Sequence, residues 1–293
     1  MKKGFYTALG TPTDENGNVC EASMAEQIEQ QIQAGASGLL VMGSMGKMTY
    51  LKNSAYPKVA EVSAKAAKGR VPVLVGVTDG SIGRVKDRID AIAGIDGIDG
   101  VVSTVPYYST VNQDEIYNFY NGIADYSKVP VYLYDLAVVT KAPTLPATVQ
   151  KLWKNPNIKG IKSGNMITHS LLRRMEDRPA DFDMMFSNID EFDIAYKYGI
   201  DKNLDGMFAC TPKNAKIMYE ALAADDMATA SDALDRILGL RNMFLTTPNL
   251  MNAFTHAMNL IGCEGCFSAD YTVQLNEADK DRVKEFMKQI GEI

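Results

Sequence analysis

A chain of 293 residues, 46% hydrophobic and 23% charged, has enough apolar surface for a large core and lacks the composition of a disordered chain. Its formal net charge of −6 gives no electrostatic footprint for nucleic acid or an anionic membrane, while leaving room for a local positive pocket that takes a small acid. No segment approaches the ~20 apolar residues of a membrane span, and four cysteines are too few for a disulfide framework, so the cytoplasm is the expected compartment.

Met1-Lys2-Lys3 has the charge of a signal-peptide start, but the apolar run behind it is short and soon broken by Thr-Pro and acidic residues. It reads as the lead-in to a first strand, not as a targeting segment. Apolar runs of strand length then recur, at 5–9, 38–42, 71–77, 100–104, 129–134, 158–162, 183–187 and 205–209. Stretches with helical spacing separate them, such as Met24, Ile28 and Ile32 with Gly35 as a stop. Continuous apolar strands alternating with helices predict a parallel sheet buried on both faces, and eight such units predict a closed (β/α)8 TIM barrel. An open doubly wound sheet is the alternative. However, Thr11-Pro12-Thr13 stands after the first strand, where that fold would carry a glycine-rich dinucleotide fingerprint. From about Pro212 the strands stop, and residues 214–224, 227–244, 250–263 and 277–290 read as helices. The expected organisation is a barrel over 1–224 and a helical extension over 225–293 packed on it, because no linker intervenes.

In such a barrel, catalytic groups come from the C-terminal ends of several strands. Those ends read Thr11-Pro12, Gly43-Ser44-Met45-Gly46, Pro106-Tyr107-Tyr108, Tyr134-Asp135, Lys162-Ser163-Gly164, Ser187-Asn188-Ile189-Asp190-Glu191 and Cys210-Thr211. The set is rich in hydroxyls, has one lysine, and has neither histidine nor metal-ligand spacing, so no metal or cofactor is expected. Lys162 closes one apolar strand and Tyr134 closes the strand before it. An amine beside a phenol suggests carbonyl chemistry through a Schiff base. The plainer alternatives are a lysine whose stem lines a strand while its head reaches water, and a tyrosine packed at a strand end.

Ala8-Leu9-Gly10-Thr11-Pro12, Gly43-Ser44-Met45-Gly46, Pro106-Tyr107-Tyr108, Leu133-Tyr134 and Gly160-Ile161-Lys162 follow one another in this order on eight strands. Together they resemble the N-acetylneuraminate lyase and dihydrodipicolinate synthase family of class I, pyruvate-dependent aldolases, over nearly the whole chain. The resemblance implies that Lys162 is the Schiff-base nucleophile and Tyr134 the general acid/base. Ser44 and Tyr108 would complete a hydroxyl relay, with Tyr108 entering from a neighbouring subunit of a homotetramer built as a dimer of dimers, while Tyr107 packs. Ser44, Met45 and Thr11 would line the pyruvate site.

The chain departs from the family at several positions. Met45 replaces a carboxylate-binding hydroxyl, a loss of roughly 1.5–3 kcal/mol unless compensated. Lys47 replaces a glutamate and is expected to point to solvent at the start of a helix; its alternative role is compensating charge. The turn Ser44-Met45 is expected to open that helix and to offer its N–H groups to an anion.

Val139 stands where the synthases carry an arginine for their dicarboxylate partner, and an isopropyl group cannot replace a guanidinium fork. Asp190-Glu191 match the sugar-binding acidic pair of the lyases, although acidic residues also suit a helix start. Cys210 and Phe208 fall at further substrate-side positions, and Gly164 replaces a threonine. The expected function is therefore an N-acetylneuraminate lyase-like aldolase that splits a 2-keto sugar acid into pyruvate and an aldehyde. The synthase reaction and a 2-keto-3-deoxy sugar acid aldolase or dehydratase are the alternatives, and a non-catalytic keto-acid or sugar-acid sensor is the reading from another class.

Two further features carry less. Cys263 and Cys266 have CxxC spacing but lack the other ligands of a zinc site. His169 reads as a surface or packing residue.

Overall fold

The computed structural model describes residues 1–293. Eight parallel strands form a closed barrel in sequence order: β1 (Gly4–Ala8), β2 (Gly38–Val41), β3 (Val73–Gly76), β4 (Gly100–Ser103), β5 (Val131–Asp135), β6 (Ile158–Ser163), β7 (Asp183–Phe186) and β8 (Lys202–Asp205), with β8 pairing back onto β1. Outside it lie α1 (Glu21–Gln33), α2 (Tyr56–Ala67), α3 (Ile82–Asp90), α4 (Gln113–Ala124), the one-turn α5 (Ala137–Thr140), α6 (Pro146–Leu152), α7 (Met166–Leu172), α8 (Phe192–Lys197) and α9 (Pro212–Ala223). This is the (β/α)8 barrel expected from the alternation of strand and helix patterns.

The eighth strand is displaced from its expected position. The apolar run 205–209 is mostly a 3-10 turn, Met207–Ala209, and the strand lies upstream in the polar stretch Lys202–Asp205. Burial there is satisfied by hydrogen bonds: the Tyr219 hydroxyl donates to Asn203 at 2.6 Å, and the Asn203 amide donates to the Ile200 carbonyl at 3.2 Å.

The core has two compartments. A cluster of 9 buried apolar residues fills the barrel interior, and one of 68 lies mainly between barrel and helices. Towards the N-terminal ends of the strands, two tyrosines occupy space that glycines leave open. A Cβ on Gly38 would come within 2.6 Å of the Tyr6 ring, and one on Gly100 or Gly160 within 2.8 or 2.7 Å of the Tyr132 ring. The barrel is thereby plugged at that end, and polar side chains concentrate at the other.

After α9 the chain continues as α10 (Met227–Leu245), α11 (Leu250–Leu260) and α12 (Glu277–Gln289), with α10 packed on α8 and α9. The chain end docks through Glu292, which is buried and accepts from the N–H groups of Lys213 and Asn214 at 3.2 and 2.9 Å, capping α9. No helix is long and apolar enough to cross a membrane.

Candidate active site

Register sets the centre of the site. Val131 pairs with Ile158, but Tyr132 pairs with Gly160, so β6 carries one extra residue at Lys159. Without that slip Tyr134 would face Ile161; with it Tyr134 is the register partner of Lys162. Both side chains point into the barrel mouth and are nearly buried, at 6% and 7% exposure. The Lys162 Nζ sits 3.8 Å from the centroid of the Tyr134 ring. The Tyr134 hydroxyl lies 3.3 Å from the Ser44 Oγ, supplied by the loop after β2.

The next residue pair holds this geometry from behind. Asp135 and Ser163 are register partners, and the Ser163 hydroxyl donates to the Asp135 carboxylate at 2.8 Å. The Thr144 N–H donates to the same carboxylate at 3.1 Å, and the Asn165 N–H donates to the Ser163 Oγ at 3.1 Å. Burial pushes the Asp135 carboxyl up, against these hydrogen bonds. Tyr120 on α4 reaches the carbonyls of Ser103 and Tyr134 with its hydroxyl, at 3.1 and 3.3 Å. Neither Asp135 nor Ser163 was identified from sequence as part of the site. The available signal was a polar residue immediately after each of two apolar strands that end on candidate catalytic groups.

His169 on α7 is fully buried, edge-on to Phe186, with its Nε2 3.0 Å from the Ser163 carbonyl. Packing, not surface, is thus its place. Burial lowers its pKa from 6.5 to about 4. Above pH 6.5 neither folded nor unfolded chain protonates it; as pH falls below 6.5 the unfolded chain binds the proton first. Stability is therefore lost between pH 6.5 and about 4, by about 3 kcal/mol in full. Denaturant unfolding of the wild type and His169→Gln at pH 7 and pH 4 is expected to show that much less acid sensitivity in the variant. Equal sensitivity would rule out this contribution.

The remaining expected site residues divide. Thr11 is buried and its hydroxyl donates to the Gly46 carbonyl at 2.9 Å, so it braces the Gly43–Gly46 loop from below. Met45 is partly buried and packs over Gly206, where a Cβ would come within 2.2 Å of the Met45 Cγ. Tyr108 is 97% exposed on the loop before α4. The Asn112–Glu115 capping box fixes where that loop ends.

Asp190 is held by Arg241 of α10 through two bonds of 2.6 and 2.7 Å, which keep its carboxyl below the usual range. Glu191 keeps one buried carboxylate oxygen without a partner. Phe208 and Cys210 were expected beside substrate but are fully buried. Phe208 packs against Phe5, Phe192 and Tyr219, and the Cys210 thiol lies 3.4 Å from the Met207 carbonyl. The displacement of β8 explains this, since Phe208 lies in the 3-10 turn that follows the strand and Cys210 caps it, outside the barrel mouth. Asp205, at the end of β8, accepts from the Met207 N–H at 2.7 Å at the start of that turn, with burial raising its pKa against this bond and the pull of the Lys162 and Arg241 charges.

Two expectations for the Gly43–Lys47 loop are also corrected. Turns follow it and α2 begins only at Tyr56, so Ser44 and Met45 do not open a helix. Lys47 is 6% exposed rather than solvent-facing: its ammonium donates to the Thr13 hydroxyl at 2.8 Å and the Cys266 carbonyl at 2.7 Å. Val139 is exposed on α5, and residues 136–140 contain no arginine; Lys141, which caps α5, donates its ammonium to the Val138 carbonyl at 2.7 Å. All four cysteines are free thiols.

A family model described as the dihydrodipicolinate synthetase family matches residues 1–290. The 4-hydroxy-tetrahydrodipicolinate synthase of Parvibaculum lavamentivorans is 30% identical over 272 residues, spanning 89% of each chain. The synthase of Acidiphilium cryptum is 28% identical over 302 residues, spanning 99% of each. Among solved structures, YagE of E. coli K12, a prophage protein of the dihydrodipicolinic acid synthase family in complex with pyruvate, matches with a TM-score of 0.90 and 22% identity over all of both chains. The dihydrodipicolinate synthase of Bacteroides thetaiotaomicron matches with a TM-score of 0.89 and 24% identity over 98% of each. The chain belongs to the dihydrodipicolinate synthetase family, whose members are pyruvate-dependent, Schiff-base carbon–carbon lyases and synthases, and it is an enzyme of that class. These relatives carry the synthase name and not the lyase name, so the expected lean towards N-acetylneuraminate lyase gains no support from them.

Proposed function

We propose that, as a member of this family, the chain joins pyruvate to an aldehyde, or reverses that reaction, with Lys162 as nucleophile and Tyr134 as acid/base. The observation that carries the reading is the register pairing of Tyr134 with Lys162, with Nζ 3.8 Å from the ring centroid and Ser44 on the phenol. In this mechanism the neutral Lys162 amine adds to the keto carbon of pyruvate, and water leaves as the iminium forms. The iminium draws electrons from the methyl carbon. Loss of a proton there gives an enamine that attacks the aldehyde carbon, and hydrolysis of the new iminium releases product and free lysine. Tyr134 moves protons at the carbinolamine and at the aldehyde oxygen. A phenol needs a route for its proton, which Ser44 supplies and which Tyr108 from a partner subunit of a homotetramer would extend.

The relatives' names support the synthase reaction as the choice of acceptor. A dipicolinate skeleton has seven carbons and two carboxylates. Pyruvate brings three carbons and one carboxylate, so the acceptor is a four-carbon amino aldehyde acid, aspartate semialdehyde. One observation favours a second reading: residues 136–140 hold Val139 and no arginine for that acceptor's carboxylate, and the Lys141 ammonium that follows is turned onto the Val138 carbonyl at 2.7 Å. An acceptor with hydroxyls in place of the acid, as in N-acetylneuraminate cleavage, suits this rim, with the buried oxygen of Glu191 as a hydrogen-bond acceptor. The test supplies pyruvate with aspartate semialdehyde in one series and N-acetylneuraminate alone in another. Pyruvate consumption in the first supports the synthase, and pyruvate release in the second supports the lyase. Turnover in neither series, with no imine at Lys162, would leave the sensor reading in its place.

A further inference from the structure

The loop that runs from β2 into the site enters and leaves through left-handed backbone, at Met42 with φ 53° and Lys47 with φ 61°. Neither is glycine, and such backbone persists only where the surroundings over-determine it. The loop also closes on itself, since a Cβ on Gly46 would come within 2.5 Å of the Met42 amide nitrogen. Two side-chain anchors hold it. Thr11 bonds the Gly46 carbonyl from β1's end, and Lys47 ties the loop's far end to Thr13 and Cys266.

The second anchor is unusual in its chemistry. The Lys47 ammonium is bonded to a hydroxyl and a carbonyl, neither of which carries charge, and burial lowers its pKa against the opposing pull of Cys266, Cys20 and the Asp270 carboxylate. Burying a cation against neutral acceptors costs stability; what the two bonds give in return is position. Thr13 and Cys266 are themselves joined by a pair of backbone hydrogen bonds, Thr13 N–H to Cys266 carbonyl at 3.0 Å and Cys266 N–H to Thr13 carbonyl at 2.9 Å. Lys47 therefore ties the site loop to the β1–α1 connection and, through Cys266, to the segment between α11 and α12.

We propose that Lys47 is a positioning residue: its ammonium fixes the Gly43–Gly46 loop in the conformation that receives the keto-acid carboxylate, coupling pyruvate affinity to the docking of the C-terminal extension. This rests on the reading that the loop borders the pyruvate site. Met45 supplies no hydroxyl there, so backbone N–H groups and Ser44 carry the carboxylate, and their placement depends on the loop's backbone.

Lys47 also lines a cavity of about 350 Å³ with Thr13, Ser268 and the acidic residues Asp14, Glu15 and Asp270, which makes chemical rescue by a small cation possible. In Lys47→Ala the missing atoms are those of propylammonium; propanol has similar bulk without the charge. The measurement is borohydride trapping of the pyruvate imine as a function of pyruvate concentration. Lys47→Met and Lys47→Ala are expected to raise the half-saturating concentration about tenfold or more, because the loop relaxes from its strained backbone, with the trapping rate at saturation little changed. Propylammonium should return the alanine variant towards wild type, and propanol should not. Lys47→Met keeps the bulk of the stem and carries the comparison if the alanine variant fails to fold. Half-saturation within about twofold of wild type in the methionine variant, or rescue by propanol as good as by propylammonium, overturns the proposal alone. A wild-type protein that traps no pyruvate overturns it together with the function on which it rests.

Discussion

Lys162→Met is expected to abolish imine formation and to lower turnover by ~10⁴-fold or more, since no other group replaces a covalent nucleophile. The fold should survive. Lys162 is nearly buried, its stem lies in the apolar barrel mouth, and methionine keeps most of its volume without a charge. The melting temperature should stay within a few degrees of wild type or rise, because the variant no longer buries a polar amine. Residual activity near wild type would move the nucleophile elsewhere. A collapsed melting temperature would mean that the Lys162 contact with the Tyr134 ring holds the barrel mouth together.

Tyr134→Phe separates proton transfer from packing. Phenylalanine keeps the ring 3.8 Å from the Lys162 Nζ and removes only the hydroxyl that meets Ser44. The expected result is a fall in kcat of about 10²–10⁴, the usual worth of a positioned acid/base, with a much smaller change in KM for pyruvate. Borohydride should still trap an adduct on Lys162, but more slowly. A variant that turns over like wild type would assign the proton relay to another group.

The barrel was legible because a parallel sheet buried on both faces leaves near-continuous apolar runs, and seven of these coincide with strands. The eighth failed for a local reason. Lys202, Asn203 and Asp205 break the apolar pattern, and the polarity of Asn203 is satisfied by Tyr219, which lies 16 residues away. The apolar residues that follow, Phe208 among them, belong to the outer core, although the resemblance to the family's lyases places Phe208 and Cys210 on the substrate side. Lys162 and Tyr134 could be read because they close adjacent apolar strands, although the register slip that pairs them has no sequence signal, and Ser44 was found through the family resemblance. The Asp135–Ser163 brace and the Lys47 anchor could not: the first depends on the β5–β6 register, and Lys47 finds Cys266 219 residues away across loops. Asp190 was expected at the site from the resemblance, and its partner Arg241 comes from α10, whose packing against β7's loop has no local sequence signal.

The measurement that bears most directly on the account is mass spectrometry of the protein after incubation with pyruvate and reduction with borohydride. A single pyruvate-derived adduct per chain, on the peptide containing Lys162 and absent from Lys162→Met, is the predicted result. No adduct, or an adduct that persists on another lysine in that variant, would contradict the assignment of Lys162 as the Schiff-base residue and the mechanism built on it.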